Sequence, residues 1–325
     1  MCRSEICSTM KPNETTHSHA REGPTQGTGG QNEMRLLGHS KKGGDNMSDI
    51  IRVFVRRTSM TPTDDLVVVG EPPLFVLPDL PIHVSVVFSW DIDRADELAT
   101  VWAAVYGVDR VSLGGPALSD LRQTGDPDGP FVPGRYIKAG VTFTSRGCAK
   151  NCPWCSVQKR EGALREINIA PGWIVQDNNL LACSRGHVER VFDMLRQQKK
   201  GIIFSGGLDI DYLQPWHMEL LKSIKVDALW VACDCEQDLE RLDKAKDLLG
   251  DFPIEKKRCY VMIGFGGETF DEAERRCEAV YAKGFLPFAQ LYRGIHAEPW
   301  GPCWRALHRK WSRPAAYRAR KELMK

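Results

Sequence analysis

Residues 141–156 read VTFTSRGCAKNCPWCS, an apolar run followed by three cysteines, Cys148, Cys152 and Cys155. The spacing is Cys-x3-Cys-x2-Cys, with Trp154 directly before the last cysteine. Three thiolates can bind three irons of a four-iron, four-sulfur (4Fe–4S) cluster, whereas a structural zinc ion or a closed cluster requires a fourth protein ligand. The spacing therefore predicts a 4Fe–4S cluster with one iron left open.

Other interpretations of three close cysteines are a zinc knuckle, a ferredoxin-type cluster and three structural thiols. Zinc sites generally use two separated Cys-x2-Cys pairs, and bacterial ferredoxins use Cys-x2-Cys-x2-Cys with a further cysteine soon after. Neither spacing is present in residues 141–156. The sequence therefore favours the cluster with an open iron.

The cysteine run, its aromatic residue and the preceding apolar strand closely resemble the radical S-adenosylmethionine (radical SAM) superfamily. The resemblance implies that the open iron chelates the amino and carboxylate groups of S-adenosylmethionine. The reduced cluster then cleaves this cofactor to methionine and a 5′-deoxyadenosyl radical, which removes a hydrogen atom from a substrate. It also implies an electron donor such as flavodoxin or ferredoxin, and it leaves the substrate open.

The composition limits the classes of protein to consider. The chain has 325 residues, of which 42% are hydrophobic and 26% charged, values that exclude collagen-like and wholly disordered proteins. This length favours a large domain with a smaller one. Eleven cysteines without a secretory signal predict a reducing cytoplasm, and no apolar run is long enough for a membrane span.

The first 46 residues contain very few aliphatic side chains. Such a segment cannot bury enough apolar surface to offset its ordering entropy, so we predict a disordered tail. The residues before Met47, Lys-Lys-Gly-Gly-Asp-Asn, can be encoded by a near-ideal bacterial ribosome-binding sequence. We therefore expect Met47 to be the true initiator, with an expressed flexible tail as the alternative; the DNA sequence decides between them.

Residues 47–135 predict a small α/β domain. Their pattern is a strand, a proline-rich connection, a second strand, an amphipathic helix and a third strand. The domain resembles a reduced version of the Rossmann-like cobalamin-binding domain that precedes many radical enzymes. The Asp-x-His-x-x-Gly motif of those domains is absent, and His83 lies inside an apolar strand without its neighbours. We therefore predict that cobalamin is not bound.

Residues 136–295 contain six strand-like runs that alternate with amphipathic helices. They begin at residues 141, 172, 201, 227, 259 and 285. The count matches the partial (β/α)6 TIM-type barrel of the radical SAM superfamily. Parallel barrels place their chemistry on the loops that follow the strands, so we expect the site residues on those loops.

The loop after the second run contains Asp177, Asn178 and Asn179. These residues resemble an element of cobalamin-type radical enzymes in which a short polar side chain binds the ammonium group of the cofactor. A polar turn with a helix cap is the alternative. Cys183 follows, either as a buried structural cysteine or as a thiol that donates a hydrogen atom or traps a substrate.

Two later loops contain acidic residues that suit different roles. Asp209 follows a Gly-Gly pair after the third run and is a weak candidate catalytic residue, since helix capping explains it equally well. Asp234 and Glu236 follow the fourth run, where the superfamily often places a polar residue against the cofactor ribose. Helix capping is again the alternative.

The run IGFGGET after the fifth strand closely resembles the Gly-x-Pro-Gly-Glu-Thr turn of methylthiotransferases and cobalamin-type enzymes. The resemblance implies that Ile263 and Gly264 contact the adenine and that Glu268 holds the loop. Tyr292 and Arg293, at the end of the sixth strand, are candidates for binding an anionic or planar substrate.

Residues 296–325 form a basic extension, and from residue 305 onward it has eight Lys or Arg against one Glu. Trp304 and Trp311 are interleaved with these basic residues, a combination that can bind nucleic acid. A basic helix that packs on the barrel is the favoured interpretation. A tRNA-modifying enzyme and a non-catalytic iron-sulfur module therefore remain alternatives to a radical SAM enzyme that acts on another substrate.

Overall fold

The computed structural model of the protein describes residues 50–118, 131–293 and 300–313. The predicted tail of residues 1–46, the proposed start at Met47 and residues 314–325 of the basic extension lie outside these ranges. The described residues all belong to one compact unit. Within it, two hydrophobic cores form separately, one against each of two parallel β-sheets. The α/β class predicted from the sequence is therefore confirmed.

The smaller sheet has four parallel strands. They are β1 (Ile51–Phe54), β2 (Val67–Val69), β3 (Ile82–Ser85) and β4 (Val111–Gly114), in the order β2-β1-β3-β4. Helix α1 (Ile92–Tyr106) connects β3 to β4 and buries Leu98 and Trp102 against the sheet. The proline-rich connection contains strand β2, which the sequence analysis did not predict.

His83 lies on β3 and is half-buried. Its Nδ1 is hydrogen-bonded to the hydroxyl of Tyr136, and the two rings are nearly parallel. Burial lowers the pKa of His83, and the nearby charge of Arg135 lowers it further. The histidine therefore has a structural partner within the protein.

The larger sheet has six parallel strands, and a separate antiparallel pair lies beside it. From residue 141 onward the strands are β5 (Val141–Thr142), β6 (Ser145–Arg146), β7 (Arg165–Glu166), β8 (Ile174–Val175), β9 (Ile202–Phe204), β10 (Val226–Ala232), β11 (Lys257–Ile263) and β12 (Leu286–Leu291). The sheet order is β12-β11-β10-β9-β8-β5, and β6 pairs with β7. Neighbours in the large sheet therefore follow the order of the chain, with the separate pair β6 and β7 intervening between β5 and β8.

Helices alternate with these strands and cover the sheet, as parallel connections require. They are α2 (Val157–Glu161), α3 (Arg185–Arg196), α4 (Pro215–Lys222), α5 (Asp238–Leu248), α6 (Phe270–Ala282) and α7 (Pro302–Ser312). Helix α3 illustrates the pattern, because the apolar residues at spacings of three and four are the buried ones. In the described ranges, no helix has both the length and the apolar character that a membrane crossing needs.

Helix α7 comes from the predicted basic extension. It packs against β12, and its Leu307 and Trp311 are almost completely buried. Trp304 packs on the rings of Phe270 and Trp300. The aromatic residues of this part of the extension therefore contribute to the core.

The first turn of α4 makes stability sensitive to acid. The Nδ1 atom of His217 accepts a hydrogen bond from Gln214 N at 3.0 Å, and burial lowers the histidine pKa from 6.5 to about 4. The unfolded chain therefore binds more protons between these values, so stability falls as the pH falls from 6.5 to 4. We expect the unfolding free energy, relative to a His217→Gln variant, to fall by about 3 kcal/mol from pH 7 to pH 4. Parallel pH profiles of the two proteins in chemical unfolding would contradict this.

Candidate functional site

The three cysteines lie on one loop that the antiparallel pair β6 and β7 closes at its base. Cys148 and Cys152 are partly buried, Cys155 is exposed, and all three are free thiols. The loop bends back on itself, since Cys155 N donates to Cys152 O at 3.0 Å and Lys150 N donates to Cys148 Sγ at 3.4 Å. We call residues 147–156 the cysteine loop.

Gly147 allows the cysteine loop to start with a sharp turn. Its φ is 72°, and a Cβ atom there would lie 2.1 Å from the carbonyl oxygen of Ala163. Any other residue would collide with the backbone of the returning chain. The carboxylate of Glu161 accepts a hydrogen bond from Gly147 N at 3.1 Å, and the side-chain amide of Gln158 donates to Cys148 O. Helix α2 therefore holds the base of the loop.

Side chains from the loops after β8 and β9 contact the cysteine loop. Asn179 Nδ2 lies 3.8 Å from Cys148 Sγ and donates to Asp209 Oδ2 at 2.8 Å. The ammonium group of Lys150 lies 2.7 Å from carboxylate oxygens of both Asp209 and Asp211. Asp209 therefore binds Lys150 of the cysteine loop and also Asn179, which contacts that loop.

The three thiols influence one another electrostatically. Burial is the largest cause that raises the pKa of Cys152. The neighbouring thiols of Cys155 and Cys148 raise this pKa further, and the charge of Lys150 lowers it. Forming three thiolates here requires nearby positive charge to offset their repulsion. Bound iron supplies such charge, so the donor set fits an iron-sulfur cluster.

A single metal ion is a different case from a cluster. Within the described ranges, no three His, Cys, Asp or Glu side chains converge so that they could share one ion. Ligands of a cluster bind different irons, so they need not converge on a point. A second feature fits a ligand at this place: the Oδ1 atom of Asn179 is buried and has no hydrogen-bond donor among the described residues.

Asp177 and Asn178 have structural partners. The Asp177 carboxylate is buried and accepts hydrogen bonds from Thr144 N at 2.6 Å, from the Thr144 hydroxyl, and from the Ser145 hydroxyl at 3.0 Å. Asn178 Nδ2 donates to Glu161 Oε2 at 2.8 Å. Of the three polar residues in this element, Asn179 is the one that contacts a cysteine of the loop.

Cys183 is partly buried near Ser145 and Asp177. Burial raises the pKa of its thiol to about 11, so the group is protonated at neutral pH. A protonated thiol is not a nucleophile, but it still carries a hydrogen atom.

Trp154 connects the cysteine loop with the ends of the later strands. Its indole lies near the carboxylate of Asp234 and lowers the pKa of that group slightly, and Asp234 accepts a hydrogen bond from Met262 N at 3.1 Å. The Trp154 ring meets the ring of Phe265 edge to face at 5.6 Å, and Phe265 meets Tyr292 in the same way at 4.9 Å. Burial raises the pKa of Asp234 to about 6, with Asp238 adding to the shift.

The turn after β11 is fixed by an acidic side chain. Glu268 Oε2 accepts a hydrogen bond from Gly264 N at 2.7 Å, and Oε1 forms an ion pair with Arg276. That pair is a close charge contact without hydrogen-bond geometry. Gly264 has a φ of +83°, and a Cβ atom there would lie 2.4 Å from the ring of Trp300. Ile263 is fully buried directly before the turn.

The remaining predicted residues are Tyr292, Arg293 and Glu236. Tyr292 N donates to Ile263 O at 2.9 Å, which orders the end of β12 beside β11. The guanidinium of Arg293 lies 4.4 Å from the ring centroid of Trp90, in the segment after β3. Glu236 is exposed, at the start of the segment leading to α5.

Sequence reasoning did not single out several residues that the structure brings to this site. Lys150 and Asp211 were signalled only by their nearness to the cysteines and to Asp209. Phe265 lies inside the glycine-rich turn, where no motif position assigns it a contact. Trp300 had no signal, because its packing on Gly264 joins two strand ends that are distant in sequence.

Comparison with known protein-family models finds no match to this chain. Comparison with curated proteins likewise finds no match.

Proposed function

We propose that this protein is a radical SAM enzyme. It binds a 4Fe–4S cluster through Cys148, Cys152 and Cys155, and S-adenosylmethionine at the remaining iron. The observation that carries the proposal is one loop with three free thiols, met by polar and aromatic side chains from the ends of successive parallel strands. Thiols alone are common, but this surrounding is what a thiolate-bound cofactor site needs.

The fold proposed for this function is a partial (β/α)6 barrel. Three features support it: all six strands are parallel, their order in the sheet follows the order of the chain apart from the inserted pair β6 and β7, and helices connect them. The candidate residues follow the carboxyl ends of these strands, where parallel barrels place their chemistry.

Each contact of the cofactor has a candidate partner in this chain. The buried Oδ1 of Asn179 accepts a hydrogen bond from the ammonium group. Asp234, whose pKa of about 6 leaves it largely ionised at neutral pH, accepts from ribose hydroxyls. The Ile263 and Gly264 backbone packs on the adenine, and Glu268 maintains that turn. When bound, the cluster and S-adenosylmethionine supply reductive cleavage to a radical that removes a hydrogen atom from substrate.

The proposal includes an electron donor of the flavodoxin or ferredoxin type and a reducing cytoplasm. All cysteines in the described ranges are free thiols, as a reducing compartment favours. A nucleic-acid substrate has less support, because Trp311 of the basic extension is buried in the core.

Electron paramagnetic resonance tests cofactor binding. After anaerobic reconstitution and reduction, we expect the wild-type cluster signal to change when S-adenosylmethionine is added, and an Asn179→Ala variant to need more cofactor for the same change. A full cluster whose signal is unaffected by saturating cofactor would contradict the proposal and favour a non-catalytic iron-sulfur module.

A further inference from the structure

A cavity of about 920 Å³ lies between the two parallel sheets. One wall comes from residues that follow β1, β3 and β4, including Arg56, Phe88 and Pro116. The opposite wall comes from residues after β5 and β8, including Phe143 and Asn178. Its volume suits a small organic molecule.

The described lining of this cavity is strongly cationic. It contains five arginines against two carboxylates. The arginines are Arg56, Arg135, Arg146, Arg160 and Arg165. Both carboxylates already have partners: Asp91 forms an ion pair with Arg56, and Glu161 accepts from Gly147 N and Asn178 Nδ2. The cavity therefore has an excess of positive charge that its own acids do not offset.

For two of the arginines, no hydrogen bond or ion pair of the guanidinium group is found within the described ranges. Arg146 lies 4.1 Å from the ring centroid of Phe143, and Arg135 lies 5.7 Å from that of Tyr136. Stacking holds each group in place while leaving its N–H donors free for an anion.

The rest of the lining is largely apolar and aromatic. Its large apolar side chains are Phe54, Met60, Phe88, Phe131, Ile137, Phe143 and Ile167. A free inorganic anion would gain nothing from these surfaces. A ligand with an apolar body and one anionic group would use both parts of the lining.

The cavity is distinct from the turns assigned to S-adenosylmethionine. Of the residues predicted to bind that cofactor, only Asn178 lines the cavity. The side-chain amide of Asn178 donates a hydrogen bond to Glu161. Arg146 and Glu161 also belong to the lining, and they lie on either side of the cysteine loop in the chain. A molecule in this cavity therefore lies against the base of that loop.

We infer that this cavity binds the substrate, and that the substrate is a small organic anion with a carboxylate or phosphate group and an apolar or aromatic body. Arg146 and Arg135 bind the anionic group, and the aromatic wall binds the body. That the ligand is the substrate rests on the proposed radical SAM function; that the cavity binds such anions does not.

Calorimetric titration of the full-length protein tests the inference with three probes of similar body: 1-naphthyl phosphate, 1-naphthylacetate and uncharged 1-naphthol. We expect at least one anion to bind more tightly than 1-naphthol, and the stronger of the two identifies the anionic group. Arg146→Gln should weaken the binding of that anion about tenfold or more, because a charge-assisted hydrogen bond contributes this much to the affinity. Binding of 1-naphthol should change little.

Arg196→Gln is the matched control, since this exposed arginine of α3 is outside the cavity lining, and it should leave anion binding within about twofold. If Arg146→Gln fails to fold by circular dichroism, Arg135→Gln decides the question. Anions that bind no better than 1-naphthol, or that bind equally to the wild type and both cavity variants, would overturn the inference. Cofactor cleavage with no anion binding refutes only the inference. Anion binding with no cleavage refutes the proposed function and the role of the anion as its substrate, and it leaves the anion site standing.

Discussion

A Cys152→Ser variant is expected to lose the iron-sulfur cluster and, with it, cleavage of S-adenosylmethionine. Loss of an outer-shell partner lowers metal affinity about 10- to 100-fold, and loss of a direct ligand should cost at least as much. Cys152 is partly buried between the thiols of Cys148 and Cys155. Serine is a similar size but does not supply a thiolate, so the loop can keep its shape while losing a ligand.

The measurement is iron and sulfide content per chain after anaerobic reconstitution. Cys303→Ser is the matched control, because Cys303 is an exposed free thiol on α7 outside the cysteine loop. This control should retain the wild-type iron content. Equal iron in the Cys152→Ser variant and the wild type would show that the cysteine loop is not the cluster site.

Glu268→Gln is expected to lower the free energy of unfolding by about 3 kcal/mol, because it leaves the buried charge of Arg276 without its partner. The side chains of Glu268 and Arg276 are only 9% and 7% exposed. Glutamine can still accept the hydrogen bond from Gly264 N, but it cannot offset the guanidinium charge. The effect therefore comes from the lost ion pair.

Chemical unfolding of the two proteins measures this difference. Glu189→Gln is the control, since Glu189 and Arg185 form an exposed pair on α3 with side chains 47% and 68% exposed. Removing that exposed pair should cost less than about 0.5 kcal/mol. A loss as small as this in Glu268→Gln would mean that the ion pair does not stabilise the turn after β11.

The six strands of the large sheet could be predicted from sequence because each is a short apolar run between an amphipathic helix and a polar loop. Each predicted run overlaps a strand of the parallel sheet, although β10 and β11 begin at Val226 and Lys257, before their predicted runs. The run at 141–145 differs in detail, because its sheet strand ends at Thr142. Beyond Thr142, the backbone N–H and the hydroxyl of Thr144 donate hydrogen bonds to the Asp177 carboxylate. The chain then continues into β6.

Strand β2 could not be predicted, because Val67–Val69 lies in a connection rich in prolines and acidic residues. Its pairing with β1 joins residues that are far apart in the sequence, for example Arg52 with Val67, so no local pattern indicates it. Only three residues pair, which is too short for a periodic signal.

The site likewise contains residues that local sequence spacing indicates and residues that only the folded chain brings together. The cysteine loop and the Glu268 turn were visible because their spacing is local. Asn179, rather than Asp177 or Asn178, contacts Cys148, and that choice depends on where β8 ends against the loop. The cationic cavity was not visible, because its arginines come from separate segments that meet only in the folded chain.

Formation of 5′-deoxyadenosine is the direct test of radical SAM activity in this protein. The reconstituted protein is incubated anaerobically with S-adenosylmethionine and a strong reductant. The 5′-deoxyadenosine and the methionine that form are then quantified. We expect the wild type and Cys303→Ser each to form 5′-deoxyadenosine and methionine in equal amounts, and Cys152→Ser to form only background amounts. A wild-type protein with a complete 4Fe–4S cluster that leaves S-adenosylmethionine intact would contradict it.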